Sequence, residues 1–78
     1  MNEQVFIEEV RRLRPQMRRV AIRYLEDADW AEDVVQDALL KLWTMHRMIP
    51  QPMDRLAFTV LKHRCLGELR RRENAWKA

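Results

Sequence analysis

The sequence lacks most of the residues from which enzyme active sites are built. It contains one glycine, Gly67, and no serine. A single glycine excludes both the glycine-rich dinucleotide-binding loop and the P-loop, and the absence of serine excludes a Ser-His-Asp triad. The single cysteine, Cys65, cannot form a disulfide within the chain or a Cys-x-x-Cys motif. These absences argue against an enzyme.

The residues that could ligate a metal are equally sparse. His46, His63 and Cys65 lack the close spacing of a zinc site, and neither histidine stands in an H-E-x-x-H context. We therefore expect no metal and no cofactor. Neither a signal peptide nor an apolar run of membrane length is apparent, so we expect a cytoplasmic protein without a membrane partner.

The chain is long enough for one small domain. Of its 78 residues, 47% are hydrophobic and 35% are charged, which allows one core under a strongly charged surface. We predict a single domain over residues 1–78, with an ordered core at about 4–73. Because repeats, strand patterns and low-complexity segments are not apparent, the organisation is expected to be all-α.

The formal net charge of +3 is the sum of three blocks of charge along the chain. Residues 1–24 carry +3, residues 25–54 carry −5 and residues 55–78 carry +5. The basic ends suit phosphate or an acidic protein, whereas the acidic middle suits a basic protein surface and would repel nucleic acid. Arginine outnumbers lysine twelve to three, which favours bidentate phosphate and base contacts, although arginine also solvates helix faces.

The first helix is predicted from about residue 2 to residue 24. Its apolar residues recur at helical spacing, including Phe6, Val10, Leu13 and Met17. Pro15 interrupts the pattern. Because proline removes a hydrogen bond inside a helix, we expect one short helix before it and a new helix beginning near it.

The second helix has the strongest amphipathic pattern. Asp29 and Glu32 match an aspartate form of the capping box, which predicts a helix that begins at Trp30. The helix should end near Arg47, since the prolines that follow cannot continue it. Its apolar stripe contains Val34, Val35, Ala38, Leu39, Leu42 and Trp43.

The third helix is predicted from Asp54, which is a plausible N-cap. Ala57, Phe58, Leu61, Cys65 and Leu69 form its apolar stripe, and Cys65 is most simply a small core residue. Gly67 should weaken this helix by roughly 1 kcal/mol relative to alanine. The segment from residue 73 to residue 78 is expected to fray. Together the patterns predict a compact all-α bundle of three main helices.

Two groups of polar residues are candidates for binding. On the second helix, Asp33, Gln36 and Asp37 share one side, where a basic partner would relieve the repulsion between the two carboxylates. An ordinary solvated face is the alternative. On the third helix, the residues that could follow phosphates are Lys62, His63, Arg64, Arg70, Arg71 and Arg72.

Aromatic residues are weaker evidence for nucleic-acid binding. Phe58 or Trp43 could stack on an unpaired base, but core packing is the simpler role for Phe58. His63 could hydrogen-bond a base or a ribose, or it could be an ordinary surface residue. The arginine run could likewise be a solvated helix end.

Three stretches of the chain are informative together: LRPQMRRVAIRYL (13–25), WAEDVVQDALLKLW (30–43) and AFTVLKHRCLGELRRR (57–72). In this order they resemble region 2 of the sigma-70 family of bacterial RNA polymerase sigma factors. The likeness is strongest to the extracytoplasmic-function (ECF) class, whose second helix carries a D-h-h-Q-[DE] core followed by L-x-L-W in the same register. The resemblance covers roughly residues 5–72.

The resemblance implies a transcription initiation factor domain. Its second helix would dock on the coiled coil of the polymerase β′ subunit, through Glu32, Asp33, Gln36, Asp37 and Lys41. Its third helix and the loop before it would hold the non-template strand of the promoter −10 element open, with a base flipped out. The corresponding DNA-binding residues are Lys62, His63, Arg64, Arg70 and Arg71. An anti-sigma factor is a further implied partner.

The sequence also departs from the family pattern. His63 stands where asparagine is common and Gly67 where aspartate is common, so base preference there is an open question. Nothing resembles the helix-turn-helix region 4, so we expect either an excised fragment or a degenerate relative. The alternative function is a helical protein-interaction module that does not bind DNA.

Overall fold

Three helices pack against one another around a shared core. A computed structural model describes the backbone of residues 1–77 and the side chains of residues 1–75. In this part of the chain the α-helices are α1 (Glu3–Leu25), α2 (Ala28–Thr44) and α3 (Asp54–Lys77), with one 3-10 turn at His46–Met48. Each α-helix contacts the other two, which confirms the predicted all-α bundle. No helix in these residues is long and apolar enough to cross a membrane.

Helix α1 runs through Pro15 without a break, so the prediction of two shorter helices is wrong. Asn2 caps its start, because its side chain accepts a hydrogen bond from the Val5 N–H. Leu13 and Met17 are fully buried on either side of Pro15 and fix the helix against its neighbours. Pro15 itself is exposed, so the hydrogen bond that it removes lies on the solvent side.

The turn between α1 and α2 is only two residues long. Glu26 adopts a left-handed conformation (φ 55°) and donates its N–H to the Ile22 carbonyl at 2.8 Å. Asp27 then caps α2 by accepting from the Trp30 N–H at 3.0 Å. The predicted cap at Asp29 and start at Trp30 are therefore wrong. Asp27, the residue directly before the helix, is the cap, and Asp29 lies in the first helical turn.

The connection from α2 to α3 is anchored in the core. Helix α2 ends at Thr44 and the 3-10 turn follows, close to the predicted end near residue 47. Ile49 and Met53 are buried, and the Gln51–Pro52 peptide is cis. Asp54 is the first residue of α3 rather than its cap, because the Met53 carbonyl already accepts from the Ala57 N–H.

Helix α3 continues to Lys77, so its helical backbone extends beyond residue 73, from which fraying is expected; residue 78 lies outside the described residues. The Arg72 guanidinium lies 4.8 Å from the centre of the Trp30 ring and fastens this end of α3 to α2. Ala57, Leu61 and Cys65 are fully buried, which confirms the predicted apolar stripe of the third helix.

Candidate functional site

The outer side of α2 carries two carboxylates that no described residue neutralises. Asp33 and Asp37 are one helical turn apart, and both are exposed. Val34, Val35 and Ala38 are buried on the core side of the helix, which turns the acidic residues outward. Within the described residues neither carboxylate has a hydrogen bond or an ion pair. This surface therefore offers uncompensated negative charge to a partner.

Glu32 and Gln36 belong to the same side of α2 but are held by α1. Arg14 donates from Nη2 to Glu32 Oε1 at 2.7 Å and to Gln36 Oε1 at 3.1 Å. Arg18 Nε lies 3.2 Å from Glu32 Oε2. The hydrogen bond from Arg14 is the main cause of the lowered pKa of Glu32, and the charges of both arginines add to it. The negative charge of Glu32 is thus balanced inside the domain.

A groove of about 470 Å³ lies between α2 and α3. It brings together three of the residues predicted to bind DNA, together with one that was predicted to bind polymerase. Gly67 lies in its wall, and a Cβ atom there would meet nothing within 4 Å, so packing does not require glycine. The lining residues are Lys41, Val60, His63, Arg64, Gly67, Glu68 and Arg71.

The predicted DNA-binding residues do not all face this groove. Lys62 and Arg70 are exposed, but they do not line it. Lys41, which the resemblance assigned to the polymerase surface, lies in the groove beside His63 and Arg64. The cationic groove thus lies beside the acidic carboxylates of α2, and Lys41 lines the groove one helical turn after Asp37.

Arg71 lies at the boundary between the two regions. Its Nη2 donates to Glu68 Oε2 at 2.6 Å, so part of its charge is compensated on α3 itself. It also lines a shallow depression that contains Asp33 and Asp37. Arg71 therefore lies next to the acidic surface, and its charge is partly compensated. Arg64, in contrast, has no ion-pair partner among the described residues.

A buried carboxylate that sequence reasoning missed anchors the start of α3. Glu9 is 4% exposed and accepts from the Met53 N–H at 2.9 Å. Arg12 bridges Glu9 and Asp54, and its hydrogen bonds are the main cause of the lowered pKa of Asp54. The signal was present in the sequence, since Glu9 falls on the apolar stripe between Phe6 and Leu13.

An exposed apolar groove between α1 and α2 was also missed. Its rim contains Ile7 and Leu40, which are 41% and 57% exposed. Trp43 closes one end and stacks on the His46 ring, with centroids 4.2 Å apart and planes 5° apart. One face of the Trp43 indole is therefore already covered. Phe58 is half-buried against the core, as the simpler interpretation predicted.

The single cysteine lies in the core of the domain. The described residues contain no group of three histidine, cysteine or acidic side chains that could hold a metal ion. Cys65 is buried in the core, and burial raises the pKa of its thiol. A buried thiol with a raised pKa is a poor nucleophile, so Cys65 is a packing residue.

A comparison with models of protein families shows the family of this chain. The model of the Sigma-70 region 2 family matches residues 9–75, which is most of the chain. The chain belongs to the sigma-70 region 2 family. No curated protein and no solved structure matches the chain.

Membership of the sigma-70 region 2 family has direct consequences. The family is not enzymatic, which agrees with the missing catalytic residues. Region 2 is a domain of sigma factors, which act in transcription initiation and bind the RNA polymerase core. The family match extends over all three helices and thus includes the acidic side of α2 and the cationic groove.

Proposed function

We propose that this sigma-70 region 2 domain binds the coiled coil of the polymerase β′ subunit through the acidic side of α2. The observation that carries the proposal is the pair of unneutralised carboxylates, Asp33 and Asp37. They are the first and last residues of the D-h-h-Q-[DE] motif that this chain shares with ECF sigma factors. Gln36 lies beside this pair, and a basic helical partner would relieve the repulsion between the two carboxylates.

We also propose that α3 binds promoter DNA. Helix α3 holds the −10 element of the promoter as single-stranded non-template DNA, with the cationic groove as its phosphate-binding surface. Arg64 and Lys41 are the groove cations without a described ion-pair partner, and His63 lies beside them. Lys62 and Arg70 would contact phosphates outside the groove. The domain would act in the cytoplasm, where an anti-sigma factor could compete for it.

Replacement of Asp37 by arginine tests the polymerase contact. Asp37→Arg places a cation against the basic coiled coil, and an unfavourable pair in place of a favourable one should reduce affinity at least about tenfold. Affinity for the polymerase core is measured by anisotropy with a labelled chain, and circular dichroism checks the fold. Glu8→Arg is the matched control, because Glu8 is exposed on α1 and undergoes the same charge change. If a folded Asp37→Arg chain binds like the control, the contact is wrongly assigned.

The DNA contact predicts a characteristic salt dependence. Affinity for a single-stranded −10 oligonucleotide should fall as salt rises, and Arg64→Ala should reduce the slope of log K against log salt by about one or slightly less. Arg11→Ala is the control, since Arg11 is an exposed arginine of α1 outside the groove. A response that is independent of salt, together with retained polymerase binding, would favour the protein-interaction module without DNA binding.

A further inference from the structure

We propose that Arg14 is a positioning residue that fixes the orientation of the Gln36 amide on the polymerase-binding surface. The inference rests on the proposed function, and it adds the chemistry that the partner must present. Arg14 is on α1, outside the D-h-h-Q-[DE] motif, and reaches across the α1–α2 interface to Gln36 Oε1 at 3.1 Å.

Hydrogen-bond chemistry determines which end of the amide faces outward. A guanidinium has donors and no acceptor, so only the oxygen of the Gln36 amide can face Arg14. The Nε2 group is then directed away from Arg14. Because Gln36 is exposed, its two N–H donors are available to a partner. Without Arg14 the amide could turn over and present either end.

The same guanidinium defines the charges around Gln36. Nη2 of Arg14 also donates to Glu32, and Arg18 pairs with the second carboxylate oxygen, so Glu32 is neutralised on both sides. Asp33 and Asp37 remain as the uncompensated acids. The surface therefore presents a donor beside two carboxylates that lie next to each other on α2. The matching partner segment has an acceptor, such as a backbone carbonyl or a carboxylate, next to basic side chains.

Replacement of Gln36 by glutamate distinguishes this arrangement from a merely acidic surface. Gln36→Glu would still accept from Arg14, but it removes the outward donors. We expect affinity for the polymerase core to fall about three- to tenfold, the usual effect of losing one hydrogen bond. If the surface attracts its partner through negative charge alone, the same variant should bind more tightly than wild type. That result would overturn the inference.

A double-mutant cycle tests whether Arg14 acts through Gln36. Arg14→Met keeps the apolar stem but removes the donors, and it should weaken polymerase binding about three- to tenfold in the wild-type background. In the Gln36→Ala background it should have no further effect, because the amide that it positions is gone. Equal losses in both backgrounds would contradict a positioning role.

Two further variants complete the experiment. Arg14→Lys should restore most of the affinity, because a single nitrogen, Nη2, serves both acceptors and an ammonium can replace it. Arg18→Met is the matched control, since it removes the same charge and the other contact of Glu32 but does not touch Gln36; it should not weaken binding. If Asp37→Arg abolishes binding while Arg14→Met leaves it intact, only this inference fails. If wild type does not bind polymerase, the proposed function fails as well.

Discussion

A buried carboxylate of α1 holds the residue that precedes the third helix. Glu9 lies among apolar residues of α1, and its burial is tolerated because its oxygens accept from Arg12 and from the Met53 N–H. No buried side-chain nitrogen or oxygen atom in the described residues lacks a partner. Glu9 therefore links α1 to the connection that leads into α3.

Replacement of Glu9 by alanine should destabilise the fold. It leaves the Met53 N–H buried without its partner, which costs about 1–3 kcal/mol of unfolding free energy. Urea denaturation followed by circular dichroism measures the change. Glu8→Ala is the neighbouring control, because Glu8 is exposed, and it should change stability by no more than about 0.5 kcal/mol. Equal stabilities of the two variants would show that the Glu9 network does not hold the helix start.

At the scale of the helix, the packing of α1 overrides the helix-breaking effect of Pro15. The helix continues through Pro15 because buried residues on both sides align it with α2 and α3. The proline still removes one backbone hydrogen bond, so α1 is less stable than its length implies.

Replacement of Pro15 by alanine should therefore stabilise the domain. The new N–H can complete the helical hydrogen-bond pattern, and alanine fits on the exposed side. The gain should be about 1–3 kcal/mol, reduced by the greater freedom of the unfolded chain. Thermal melts compare this variant with Gln16→Ala, a neighbouring exposed position that should change stability little. A fall in melting temperature would mean that Pro15 fits this helix better than alanine does.

Part of this helical structure could be predicted from the sequence. Apolar periodicity identified α2 and the core face of α3, because both signals are local. The helix boundaries were harder to predict. Asp27 rather than Asp29 caps α2 because the turn before α2 is only two residues long. The contact of Arg14 with Glu32 and Gln36 joins residues about twenty positions apart, and it depends on how α1 and α2 pack. Sequence spacing does not contain that information.

At the scale of the whole molecule, the three charge blocks become separate surfaces. The acidic block forms the outer side of α2, and the last basic block forms the groove wall on α3. The first basic block is partly used inside the domain, where Arg12, Arg14 and Arg18 pair with acidic residues of the other helices. The formal net charge of +3 thus conceals an acidic surface that lies directly beside a cationic one.

Nuclear magnetic resonance can show directly whether the acidic surface of α2 binds the polymerase. A labelled chain is titrated with a peptide of the β′ coiled coil, and backbone amide shifts are followed. We expect the largest changes at Asp33, Gln36 and Asp37, and no change on the exposed outer side of α1 around Glu8. Changes confined to other surfaces, or none at saturating peptide, would contradict this expectation.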